Sequence, residues 1–200
     1  ALMPMIARVM RAAGLTFGEL ERIVVTHGPG TFTGVRTGIS AARALALATG
    51  APLIGVSSLW AIAAAVHPKL TAGDASADAV LVAMDARKSQ VYVQAFDARL
   101  EELSGPQLLS AGDAGMLCPG RRLHLIGNAA RVVASVLAAA GRAPTSVLDG
   151  IELTGQDRNE AAAMLHASSR APCAGPLQPL YLRPPDAKPQ ADKSLPWVTS

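Results

Sequence analysis

The chain has 200 residues, a formal net charge of +3, half of its residues apolar and 16% charged. That length suits one ordinary domain or two small lobes, and the apolar share excludes a chain without a core. The mild positive balance permits contact with nucleic acid but excludes the strongly basic surface of a protein that grips nucleic acid unaided.

Aromatic residues are few and alanine is abundant, which favours helices packed closely on a sheet. Cys118 and Cys173 are far apart and flank no metal-ligand spacing, so reduced thiols in a cytoplasmic protein are expected rather than a disulfide scaffold. No apolar run approaches the ~20 residues that span a bilayer, so no membrane role is expected. No signal-peptide pattern opens the chain.

Leu2, Ile6, Val9 and Met10 form a helical stripe, which predicts a helix over Leu2–Ala13 with Pro4 in its first turn and Gly14 ending it. The chain begins at Ala1, inside that stripe and not at a methionine, so upstream sequence is expected to be missing. Thr16 and Glu19 stand at capping-box spacing. Ile23–Val25 reads as a buried strand. It runs into the glycine turn Gly28-Pro29-Gly30 and a helix over Val35–Thr49 ended by Gly50. Leu53–Val56 is a second strand, and Ser57 or Ser58 caps a helix over Leu59–Val66 that His67-Pro68 closes. Strand, helix, strand, helix at this spacing predicts parallel strands with helical crossovers, an α/β lobe.

Residues 67–78 read as a polar loop. Ala79–Met84 and Gln90–Phe96 are two strands of an antiparallel hairpin, joined by Asp85-Ala86-Arg87-Lys88-Ser89. Leu123–Ile126 is a further strand ended by Gly127-Asn128. A helix over Ala129–Ala140 stopped by Gly141, and another over about Asp157–Ser168, complete a second lobe. After Ala171 the chain is proline-rich and extended, with Leu180-Tyr181-Leu182 as the part apolar enough to dock. The division is therefore 1–66, 79–170 and a tail over 171–200, with no tandem repeat.

The turn at Gly28 is the candidate ligand site, but it matches no complete phosphate motif. A Walker loop needs a lysine after its last glycine, where Val35 and Arg36 follow Gly34, and a dinucleotide fingerprint would need glycine where Thr33 stands. Gly34, Gly38 and Ala41/Ala42 leave one helical face almost without side chains, which calls for a close packing partner. His27 precedes the turn without a second ligand at helical spacing, and His67, His124 and His166 are scattered, so a hydrogen-bonded strand-end histidine is the reading. Asp85, Arg87 and Lys88 read as a solvated turn. No Gly-x-Ser-x-Gly elbow exists, and neither cysteine has an obvious paired histidine.

The stretch VVTHGPGTFTGVRTGISAARALALATGAPLIGVSSLWAIA, Val24–Ala63, closely resembles the TsaB (YeaZ) family of the bacterial tRNA threonylcarbamoyladenosine machinery. AMDARKSQVYVQAFD, Ala83–Asp97, is similar to that family's second-lobe hairpin, and LYLRPPDAKPQ, Leu180–Gln190, to its C-terminal signature. Three separated blocks in the right order span most of the chain, from Val24 to Gln190.

The resemblance implies an actin/Hsp70-like fold of two lobes, each a β-sheet with flanking helices, the first lacking its N-terminal hairpin here. It implies a non-catalytic pseudoenzyme subunit that pairs with a TsaD-like catalytic protein and works with a TsaE-like ATPase. The complex attaches threonylcarbamoyl to N6 of the adenosine beside the anticodon. ATP and a metal are then held by the catalytic partner and no cofactor by this chain alone, whose contact with tRNA runs through the complex. The metal motif of the catalytic relative is absent. The alternative from the same fold is an ATP-dependent kinase or hydrolase, which needs carboxylates and glycine turns in both lobes. The resemblance places the pairing surface, for the catalytic partner or for a homodimer, on the first two helices. Its residues there would be Leu2, Ile6, Met10, Gly34, Arg36, Gly38, Ala41, Ala42 and Leu45.

Overall fold

The computed structural model describes residues 2–73, 78–149 and 176–183. Helix α1 (Leu2–Ala13) forms where the apolar stripe predicts it, and a single 3-10 turn at Phe17–Glu19 follows. The Glu19 carboxylate accepts from both the backbone N–H and the hydroxyl of Thr16 at 2.7 Å. That hydrogen bonding holds the Glu19 carboxyl below its ordinary range.

Strand β1 (Ile23–Thr26) pairs in parallel with β2 (Leu53–Val56), and helix α2 (Phe32–Thr49) crosses between them. The helix starts three residues before the predicted Val35, because Thr31 caps it by accepting from Gly34 N–H at 3.3 Å. Gly50 ends it in the left-handed conformation at φ 73°, as expected. The β1–β2 pair alternates: Ile23, Val25 and Leu53 pack with Ala42 and Leu45 of α2, while Val24, Ile54 and Val56 join a different cluster.

That second cluster centres on α3 (Ser58–Gly73), which runs through Pro68 instead of stopping at it. An interior proline costs ~3 kcal/mol in a helix. The compensation is burial: Ala63, Ala64, Ala65 and Val66 are all inside, and four successive helical residues point in four directions, so the helix is enclosed on every side. The loop expected over 67–78 is therefore helical as far as Gly73.

The five-stranded second sheet has the order β5-β4-β3-β6-β7, from β3 (Ala79–Asp85), β4 (Gln90–Asp97), β5 (Gln107–Ser110), β6 (Leu123–Ile126) and β7 (Ser146–Leu148). β3 and β4 form the predicted antiparallel hairpin, with Val82 opposite Gln94, and β6 lies parallel to β3. One face, with Val80, Val82, Phe96 and Ile126, packs on α3. The other, with Leu81, Val93 and Leu125, packs on α4 (Ala111–Gly115) and α5 (Ala130–Ala139). One apolar core thus joins β1 and β2 to the second sheet through α3. The expected helix at 157–168 and the tail beyond 183 lie outside the described residues.

Candidate partner-binding face and glycine turn

The turn after β1 is built for backbone contact. Gly28 has φ 121°, and a Cβ there would lie 2.7 Å from the carbonyl oxygen of Leu180. What faces the glycine is therefore the chain's own segment 176–183, a strap across the first lobe. The Leu180 N–H donates to the His27 carbonyl at 2.7 Å, and Leu177 lies where a side chain on Gly55 would be. Arg43 donates to the Leu177 carbonyl at 2.8 Å. At the far end, Arg183 reaches the second lobe and donates to the Ala86 carbonyl at 2.6 Å and the Arg87 carbonyl at 3.3 Å. The expected docking of Leu180-Tyr181-Leu182 is observed, with Leu180 against Gly28.

Arg183 also explains how the hairpin tip holds its shape. Arg87, Lys88 and Ser89 are all left-handed, with φ between 52° and 61°. The Asp85 carboxylate accepts from Arg87 N–H, and Asn128 accepts from Asp85 N–H, both at 2.8 Å. A turn expected to be merely solvated is pinned from three sides.

His27 is half-buried with Nδ1 lacking a hydrogen-bond partner. Burial pushes its pKa below the ordinary 6.5, and the smaller opposing effect is a hydrogen bond to the Gln178 backbone. Protonation would put a second N–H where nothing accepts it. His124 Nδ1 lies 2.6 Å from Ser146 Oγ, and His67 Nε2 lies 2.8 Å from the Ala98 carbonyl. Cys118 is buried, which raises its thiol pKa against the weaker pull of Arg121 and Arg142. Among the described residues, no three His, Cys, Asp or Glu side chains stand together as a metal site.

The nine residues expected at a pairing surface divide. Leu2, Ile6, Met10, Gly38, Ala41, Ala42 and Leu45 line one cavity of about 340 Å³ between α1, α2 and β1. Met10 and Ala42 are buried, and a Cβ on Gly38 would meet Val25 at an ordinary 3.7 Å, so this part of the glycine face turns inward. Gly34 is exposed and supports its own cap. Arg36 is exposed and stands on the outer side, where its Nε donates to the Tyr181 hydroxyl at 2.7 Å and its guanidinium carbon lies 3.8 Å from the centre of the Phe32 ring. Phe32 and Tyr181 are stacked with centroids 5.6 Å apart. Leu2 and Met3 of α1 line the same groove as Arg36, and α1 also exposes Met5 and Val9. Sequence reasoning missed the pairing of Arg36 with Tyr181, because 145 residues separate them.

Comparison with known proteins agrees with this architecture. Residues 1–141 match the family model described as TsaD, tRNA N6-adenosine threonylcarbamoyltransferase. An uncharacterized protein of Mycobacterium tuberculosis is 34% identical over 190 residues, which cover 95% of this chain and 77% of that one. The tRNA threonylcarbamoyladenosine biosynthesis protein TsaB of Escherichia coli is 37% identical over 91 residues, 46% of this chain and 37% of that protein. The structure of YeaZ from Pseudomonas aeruginosa superposes with a TM-score of 0.69 at 22% identity, over 90% of this chain and 83% of that one, and shows the same actin-like fold. The chain belongs to the TsaD-related family of tRNA threonylcarbamoyladenosine proteins, in its TsaB (YeaZ) branch.

Proposed function

We propose that this chain is a non-catalytic subunit in tRNA threonylcarbamoyladenosine biosynthesis, working in the cytoplasm. It pairs through α1 and α2 with a TsaD-type catalytic subunit, which holds the ATP and metal, and acts alongside a TsaE-like ATPase. The tRNA is reached through the complex. The observation that carries this reading is the face of α1 formed by Leu2, Met5 and Val9, which stand at i, i+3 and i+7 and are all exposed, Val9 to 65%. Clustered exposed apolar side chains mark interaction surfaces, whereas scattered ones do not. The packing of the strap against Gly28 supports the same reading over an ATP-dependent kinase or hydrolase.

The test is the double variant Met5→Asp with Val9→Asp. Both positions are exposed, so the melting temperature should stay as in the parent while co-purification with the TsaD-type subunit is lost. Retained pairing would overturn the assignment of this face.

A further inference from the structure

Helices α1 and α2 carry four arginines, Arg8, Arg11, Arg36 and Arg43, and no aspartate or glutamate. A face with one sign of charge selects a partner of the other. Of the two arginines on α2, Arg43 is engaged by the Leu177 carbonyl. Arg36 is held differently. The Tyr181 hydroxyl fixes its Nε, the Phe32 ring lies against its plane, and its two Nη groups have no partner among the described residues. The guanidinium is thus oriented before any ligand arrives, which removes much of the entropy cost of using it. It borders a groove of about 490 Å³ lined by Leu2, Met3 and Pro4 on one side and by Thr37, Ser40 and Ala41 on the other, with no carboxylate in the lining.

We infer that Arg36 is the anchor of the partner surface and receives an aspartate or glutamate side chain of the partner protein through its paired Nη groups. This rests on the pairing reading above and adds the chemistry that the partner must bring. Two parallel N–H donors match a carboxylate in a way that a lysine cannot reproduce. The apolar lining of the groove points to a protein rather than a nucleic acid, because a phosphate backbone is tracked by several spaced cations. Tyr181, and with it the strap, acts as a positioning residue for the anchor.

The experiment titrates the TsaD-type subunit into the full chain by calorimetry, with Arg36→Lys and Tyr181→Phe beside the parent. Arg36→Lys should weaken pairing by about tenfold or more, and Tyr181→Phe by less, since it keeps the ring stack and frees only Nε. Both should melt as the parent does. If Arg36→Lys pairs with parental affinity, the inference is wrong. It is equally wrong if the variant pairs normally and loses affinity only for tRNA. Should Arg36→Lys prove less stable, Tyr181→Phe decides, and unchanged affinity there overturns the anchor. If the parent itself does not pair, the functional proposal fails first and the anchor falls with it.

Discussion

Truncating Leu59 to alanine probes the core that joins the two sheets. Leu59 is fully buried near the start of α3, in the same cluster as Ile54 and Val56 of β2 and Val80, Val82 and Phe96 of the second sheet. Leu→Ala at buried positions costs about 2.7–5.0 kcal/mol, the upper end applying where surroundings cannot collapse into the cavity. Around α3 collapse is hindered, because its alanines already bring the neighbouring elements close. A loss of about 3–5 kcal/mol follows. For a chain of this length each kcal/mol lowers the melting temperature by roughly 2–4 °C, so the transition should fall by about 6–20 °C. Calorimetry reads that shift, and amide exchange reads its distribution. Because the core is continuous, amides of β1 and β2 should lose protection by the same factor as those of β3, β4 and β6, about 100-fold or more. A shift below about 1 kcal/mol, or faster exchange confined to the second sheet, would refute a shared core.

Gly28→Ala should release the strap: the backbone strain is about 1–3 kcal/mol, and the new methyl meets the Leu180 carbonyl. Gly50→Ala, left-handed but with nothing within 4 Å, is the control, and only Gly28→Ala should accelerate exchange of the Leu180 amide. His27 favours its neutral form in the fold, so its contribution is full above pH 6.5 and is lost as pH falls below that value toward the lowered folded pKa. Strap protection should weaken on acidification through that window, and His27→Gln should abolish this component of the pH dependence. Cys118 should resist a thiol reagent in the native state of a Cys173→Ser background and react only as the chain unfolds, whereas rapid native labelling would contradict its burial.

Most regular elements were legible where one local signal dominates. The stripe of α1, the alternation in β4, Gly14 and Gly50 as helix stops, and the β3–β4 hairpin all follow from short-range pattern. What failed depended on distant packing. Pro68 reads as a helix end unless one knows that α3 is enclosed, and β5, α4 and β7 are too short to carry a period of their own. The glycine spacing correctly announced a close approach but could not identify the neighbour. For Gly28 and Gly55 it is the strap, more than a hundred residues later, and for Gly38 it is Val25 of the adjacent strand. Arg36 was legible as a residue of the outer helix, but its orientation depends on Tyr181.

On the function proposed above, this chain works by pairing and not by turnover. The most direct measurement supplies tRNA, ATP and a threonylcarbamoyl donor and compares threonylcarbamoylation by the purified TsaD-type subunit with TsaE-like ATPase, in the presence and absence of this chain, and by this chain alone. The expected result is no activity from the chain alone and a rate that depends on its addition, lost with the Met5→Asp and Val9→Asp double variant. Modification by the chain alone, or a rate indifferent to its presence, would contradict it.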